Sequence, residues 1–312
     1  MKFSNSVAPV AFFVFNRPDC SARVLEQIRK IRPGKLLVVA DGPRASRKGE
    51  HAQCEEVRRI VEEGIDWPCE ILKNYSSSNM GCRDRVVSGM DWVFTLVDQA
   101  IILEDDCLPD PSWFEFASVL LENYRHDERI FAISGTNFQT SKTGYASSYY
   151  LSHFPHIWGW ATWRRVWRLY DVSLSEWPET RSVISGNLAN PDAVAFFSKR
   201  FDDCKLKKID TWDYQFCYLV FRHAALVIIP DRNLVKNIGF DERATHTTDY
   251  TNSQAAMETF AMPFPLAHPG VIEVNEEADR WTVRSFYTLL RPPFWKAILL
   301  GIRNIFIQQR GH

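Results

Sequence analysis

Short apolar runs alternate with apolar stripes at helical spacing through the first 135 residues. Pro9–Phe15 is a continuous apolar run, the pattern of a strand covered on both faces. Asn16-Arg17-Pro18 breaks it. Asp19 then predicts the N-cap of a helix with Val24, Leu25, Ile28 and Ile31 on one side, stopped by Pro33-Gly34. Lys35–Ala40 predicts a second strand, and Asp41-Gly42-Pro43-Arg44 the turn after it. A charged helix follows from Lys48 to Glu63 with Gly64 as its stop, then a weak strand at Cys69–Leu72. Arg83–Val97 carries Val86, Val87, Met90, Val93 and Phe94 inward. A strand follows at Ala100–Leu103, and Ser112 caps a helix bearing Phe114, Ala117, Val119, Leu120 and Leu121. Ile130–Ser134 closes the series. This alternation predicts an α/β fold: a Rossmann-like, mostly parallel sheet with helices on both faces.

Beyond Gly135 the rhythm changes. His153–Trp167 is dense in aromatics; Trp160, Trp163 and Trp167 recur at helical spacing, which predicts a buried helix face for the last two, with a wall of rings from Trp158-Gly159-Trp160 onward, on which a sugar could stack, as the alternative. Thr180–Pro191 reads as a polar linker, and 193–229 as helical, then extended. Asn237–Asp249 is polar and irregular, the pattern of a lid with Gly239 as hinge. Phe260–Pro269 ends the compact part. The tail Phe294–Ile307 is apolar but too short and interrupted to span a bilayer. Its stripe predicts a terminal helix packing on the domain or a second subunit, with an interfacial amphipathic helix as the alternative.

A chain of 312 residues, 46% apolar and 24% charged, has the make-up of a globular enzyme with a sizeable core. A net charge of −1 supplies no basic field, so nucleic acid is not expected as a partner. The seven cysteines form no CxxC pair, and the opening residues carry no leader pattern, which together predict a reduced, cytoplasmic compartment. Neither GxGxxG nor GxxxxGK[ST] occurs, so a nucleotide needs another charge scheme.

Glu104-Asp105-Asp106 supplies a candidate. Three carboxylates beyond a strand end repel one another, and a hard divalent cation, Mn²⁺ or Mg²⁺, is the simplest partner. A solvated acidic turn before Pro109 is the plainer alternative. The loops bearing Arg17 and Asp41 fall at the same sheet edge. Arg17 suits a diphosphate and Asp41 a hydrogen bond from a base, against a surface charge and a turn former as the ordinary readings.

These pieces, in order and spacing, resemble nucleotide-sugar-dependent glycosyltransferases of the GT-A type. The matching segments are Phe15-Asn16-Arg17, Val39-Ala40-Asp41-Gly42, the acidic triplet, Phe154–Trp160 and Thr211-Trp212-Asp213. The likeness is greatest to the N-acetylglucosaminyltransferase I branch and to bacterial proteins, some labelled haemolysin-like. The resemblance implies that residues 1–262 are the GT-A domain, with 1–135 as nucleotide-sugar half and 136–262 as acceptor half and lid. Residues 263–312 then form a C-terminal extension. It implies Asp106 as main metal ligand, Glu104 and Asp105 beside the nucleotide, Arg17 and Asp41 on the donor, and Asp213 as catalytic base. Arg83 corresponds loosely to a basic donor contact. His246 reaches the metal or diphosphate, with a surface histidine as its alternative. Trp212 offers a face to the sugar. Asp210 is a second base candidate, and Asp213 has a purely helical reading at a helix N-terminus.

The implied activity is a metal-dependent, inverting hexosyl- or N-acetylhexosaminyl-transfer from a nucleoside-diphosphate sugar, UDP favoured, to a saccharide or lipid-linked acceptor. Bacterial surface polysaccharide synthesis is the implied setting, with peripheral contact to the inner membrane face through the tail. A retaining transferase or a nucleotidyltransferase on the same fold is the rival enzyme. A non-enzymatic membrane-active or scaffolding protein is the rival from another class.

Overall fold

The computed structural model describes residues 7–139, 146–239 and 257–287. The first half runs β1 (Val10–Val14), α1 (Pro18–Ile31), β2 (Lys35–Ala40), α2 (Glu50–Glu63), β3 (Glu70–Tyr75), α3 (Cys82–Leu96), β4 (Gln99–Glu104), β5 (Cys107–Pro109), α4 (Ser112–Asn123) and β6 (Ile130–Ser134). The second half runs β7 (Tyr149–Ser152), β8 (Trp160–Trp163), α5 (Arg164–Trp167), α6 (Arg181–Leu188), α7 (Pro191–Lys205), α8 (Asp213–Arg222), β9 (Leu226–Pro230), β10 (Val235–Asn237) and α9 (Glu276–Phe286). Eight strands form one sheet in the order β3-β2-β1-β4-β8-β6-β9-β7, flanked by helices, and β10 pairs with β5 apart from it. The β3-β2-β1-β4 side is parallel throughout. Every residue of β1 and β6 is buried, as the unbroken apolar runs require.

Several local expectations are corrected. Arg17, not Asp19, is the N-cap of α1, and Pro18 takes the first position, where its missing N–H costs nothing. Pro111 precedes α4, and Ser112 is its first residue. The Ser112 hydroxyl donates to Asp110 Oδ1 at 2.6 Å and accepts from the Met262 amide at 2.8 Å. The stretch read as a linker holds α6. Trp160, Trp163 and Trp167 do not share a helix: Trp160–Trp163 is the strand β8, and only a single turn, α5, follows. β8 lies antiparallel between β4 and β6, so both of its edges are paired, and all four of its residues are buried, the Thr162 hydroxyl donating to Phe131 O at 2.7 Å.

The chain stays packed beyond Pro269. The Asn275 amide donates to Leu151 O at 2.8 Å, and its side chain caps α9 by accepting from Ala278 N at 3.0 Å. Asp279 then accepts from Ser152 Oγ at 2.5 Å and His153 N at 3.1 Å, which fastens α9 to the end of β7. The tail from Phe294, His246 and most of the expected lid lie outside the described residues. Among the described residues no helix is long and apolar enough to cross a membrane.

Candidate active site

β1, β2 and β4 are mutually parallel, and β4 and β6 are each antiparallel to β8. Their carboxyl ends therefore share one edge, where ligands of open α/β sheets bind. Phe15–Arg17, Asp41, Glu104–Asp106 and Gly135 all stand there. β9 is parallel to β6, and α8 precedes β9 directly, so Asp213 at the start of α8 comes to the same edge.

The triplet is locked to its neighbours rather than loose in solvent. Asp105 is buried and accepts the Phe15 amide at 3.0 Å, tying the end of β4 to the end of β1. Asp106 accepts from Arg17 Nη1 at 2.7 Å, and both side chains are largely covered. Burial first, then the neighbouring carboxylates, hold Glu104 and Asp105 above the usual carboxylate range, with Arg17 opposing. The Asp213 charge is among those acting on Glu104, so base candidate and triplet form one electrostatic unit.

β10 brings the chain back over this point. The Ile238 amide donates to Asp106 O at 2.8 Å, continuing the β10–β5 pairing. A Cβ on Gly239 would press on the Asp106 carboxylate and the Arg17 guanidinium, so a larger residue there would have to displace this ion pair.

The carboxylate of Asp41 is engaged by the protein itself. It accepts from Gly42 N at 2.8 Å, Met80 N at 3.0 Å and Asn79 Nδ2 at 2.8 Å. It thereby fixes the loop that leads into α3. Arg83 turns to Asp84, donating from Nε at 2.7 Å. Arg85 goes inward instead, buried, with Nη2 donating to Asn74 O at 2.6 Å and Oδ1 at 2.9 Å and its charge acting on Asp41. Arg85, Gly89 and Val93 recur every four residues on the buried side of α3, a spacing from which Arg85 was legible.

Asp210 and Asp213 separate clearly. Asp210 accepts from Cys82 N at 3.1 Å and Arg83 N at 3.3 Å, capping α3 across the two halves of the chain. Asp213 is half-buried and accepts from Tyr214 N at 2.8 Å and from the Thr211 hydroxyl, all on Oδ1. Trp212 is buried, stacked on Trp160 at 5.5 Å and 21°, and its carbonyl accepts from Tyr170 OH at 2.9 Å. It is part of the wall behind Asp213.

Sequence reasoning passed over His156. Burial pushes its imidazole down to about 3, so the ring is neutral, and it meets Phe138 edge-on at 4.7 Å.

Among the described residues, no group of three or more His, Cys, Asp or Glu side chains is arranged to hold a metal ion. Asp106 faces a cation of the protein itself, Arg17. A site with one or two protein carboxylates would need substrate phosphates to complete the coordination of Mg²⁺ or Mn²⁺. Such a site is not a cage built from protein alone.

No family model matches the chain, and no curated protein matches it. Among solved structures it is similar to mouse xyloside xylosyltransferase 1 in its apo form, with 10% identity and a TM-score of 0.38 over 82% of this chain and 99% of that one. It is similar to a UDP-glucose pyrophosphorylase complexed with UDP-glucose, at 8% identity and TM-score 0.30 over 52% and 78% of the two chains. The inositol-1-phosphate CTP transferase from T. maritima gives 9% identity and TM-score 0.28 over 54% and 76%.

Proposed function

We propose that the protein is a GT-A-type glycosyltransferase that takes a sugar from a nucleoside-diphosphate donor, UDP favoured, and passes it with inversion to a saccharide or lipid-linked acceptor. The observation that carries this reading is one juxtaposition. Arg17 from β1, the triplet from β4 and Asp213 from α8 meet at a single sheet edge, although they are remote in sequence.

Arg17 holds the diphosphate by charge and hydrogen bonds. Glu104 and Asp105, anchored to β1, set the floor beside the nucleoside. Asp106 would hold Mn²⁺ or Mg²⁺, which supplies positive charge to the departing nucleoside diphosphate. Asp213 takes the proton from the attacking acceptor hydroxyl. With Oδ1 engaged by Tyr214 and Thr211, Oδ2 is the oxygen directed to that proton. A base from a different segment than the triplet suits inverting transfer, in which attack comes from the side away from the leaving group. Likeness to the N-acetylglucosaminyltransferase I branch, a role for His246 and a place at the inner membrane face through the apolar tail belong to the same proposal. They rest on sequence pattern.

Thermal shift with UDP, GDP and CDP, each with and without Mn²⁺, tests it. Stabilisation by one nucleotide that requires the cation is expected, since a ligand at 100 times its Kd adds about 2.7 kcal/mol. No metal-dependent shift with any of them would overturn it.

A further inference from the structure

Arg17 and Asp106 reach each other from the ends of two strands that pair side by side, β1 and β4. Arg17 Nη1 stands 2.7 Å from Asp106 Oδ2, and the two side chains keep only 9% and 20% of their surface exposed. The other oxygen of Asp106 also meets a donor of the protein, the Cys107 thiol, with Sγ 3.7 Å from Oδ1. Backbone crosses the pair. The Ile238 amide donates to Asp106 O at 2.8 Å. Gly239, its own amide fixed on Asn237 Oδ1 at 2.7 Å, runs against both the guanidinium and the carboxylate.

Both oxygens of Asp106 thus carry a partner from within the chain, and this bears on how ligands enter. A guanidinium keeps its charge at every working pH, so Arg17 cannot leave by losing a proton. It leaves Asp106 only for another anion, because a covered charge without a partner is strongly disfavoured. A divalent cation arriving alone offers Arg17 no anion and repels it. A diphosphate offers one, with oxygens that match the planar donors of the guanidinium. The same oxygens supply the ligands that a hard cation on one or two carboxylates still needs.

We infer that Arg17 is the resident counter-ion of Asp106 and exchanges partners on binding: a diphosphate takes Arg17, which releases Asp106 to a divalent cation. Arg17 and Asp106 each keep a partner of opposite charge before and after. Diphosphate and cation then favour each other through Arg17, and by linkage each raises the affinity of the other by the same factor. The exchange rests on the role proposed above for Asp106. It adds that the cation is refused until the diphosphate is present, and it involves neither the sugar nor the base.

Two titrations of the full chain, each with one ligand, test the exchange. In the first, Mn²⁺ is added alone and the free ion is read by electron paramagnetic resonance. Arg17→Gln should bind it about tenfold more tightly than the parent, within the usual range of coupling between two sites. Arg17→Lys keeps the positive charge and should bind Mn²⁺ as weakly as the parent, which separates a removed counter-ion from a damaged fold. In the second, inorganic pyrophosphate is added without metal and its binding is followed by calorimetry. Asp106→Asn should bind it about tenfold more tightly than the parent, because Arg17 has been set free. An unchanged Mn²⁺ affinity in Arg17→Gln, an equal rise in Arg17→Lys, or an unchanged pyrophosphate affinity in Asp106→Asn overturns the exchange. If both affinities rise as expected and none of UDP, GDP and CDP binds in the presence of Mn²⁺, the exchange stands and the transferase reading falls.

Discussion

At the ends of β1, β2 and β4 the sheet edge carries carboxylates and guanidinium groups. At the ends of β6 and α9 the same edge carries aromatic rings. Charged groups in the first region are tied by short bonds, Arg17 to Asp106 at 2.7 Å and Asp105 to Phe15 at 3.0 Å. Rings in the second meet edge to face, Phe138 against both Trp158 and Phe286. The difference teaches that two parts of one edge are held in two ways: the charged part by ionic partners the protein itself supplies, the aromatic part by ring packing.

Substitution at Asp106 strikes the charged region hardest. Asp106→Ala is expected to remove detectable transfer and metal-dependent nucleotide binding together. The melting temperature should change little, because relief of repulsion with Glu104 and Asp105 opposes the loss of the Arg17 ion pair. Calorimetric titration of UDP with and without Mn²⁺ checks this, and an unaltered metal dependence would refute the role of Asp106.

At the boundary between the regions, Asp213→Asn should keep donor affinity and lower kcat by about 10²- to 10⁴-fold, the scale of a missing general base. A loss of donor binding with turnover intact would move Asp213 to the charged region.

The aromatic region has its own pH signature. His156 is held neutral by burial, with its pKa pushed from 6.5 down to about 3. Below pH 6.5 the unfolded chain binds a proton that the folded chain refuses, so stability is full above 6.5 and falls as pH drops toward 3. Urea titrations across this range should show a shallower fall for His156→Phe than for the parent. Parallel curves would mean that carboxylates alone set the acid limb.

The smallest effect is expected at Asp210. Asp210→Ala should cost about 1 kcal/mol of stability, as for other lost helix caps, and leave the pH profile of turnover unmoved. A change in that profile would instead make Asp210 a partner in proton transfer.

The charged region was the more legible of the two. Strands β2 and β6 begin and end at the residues their apolar runs indicate, because parallel strands covered on both faces admit little else. β8 was misread because a short, fully buried antiparallel strand has no alternation to show, and its tryptophans fell at helical spacing by coincidence. Arg83 and Arg85 differ in sequence by two positions and in the fold by a half-turn: one faces Asp84, the other lies under Asp41. α9 lies beyond a proline-rich stretch that reads as an end, and its packing depends on Asp279 meeting Ser152, a contact between residues far apart in sequence. No local pattern announces it.

The cap that Asp210 places on α3 bears on how such a chain can be altered by recombination. Asp210 and Asp213 sit on one short segment. The first holds the backbone of Cys82 and Arg83, while the second faces the triplet. Gly81, at φ 83° and with no room for a Cβ beside the Asp210 carboxylate, is fitted to the same contact. A chimera that exchanges the second half for that of another protein therefore inherits the new base only if it also brings an aspartate three residues earlier, matched to a glycine in the retained half. The two halves are not fully independent cassettes, and a crossover that ignores this pair would leave the start of α3 without its cap.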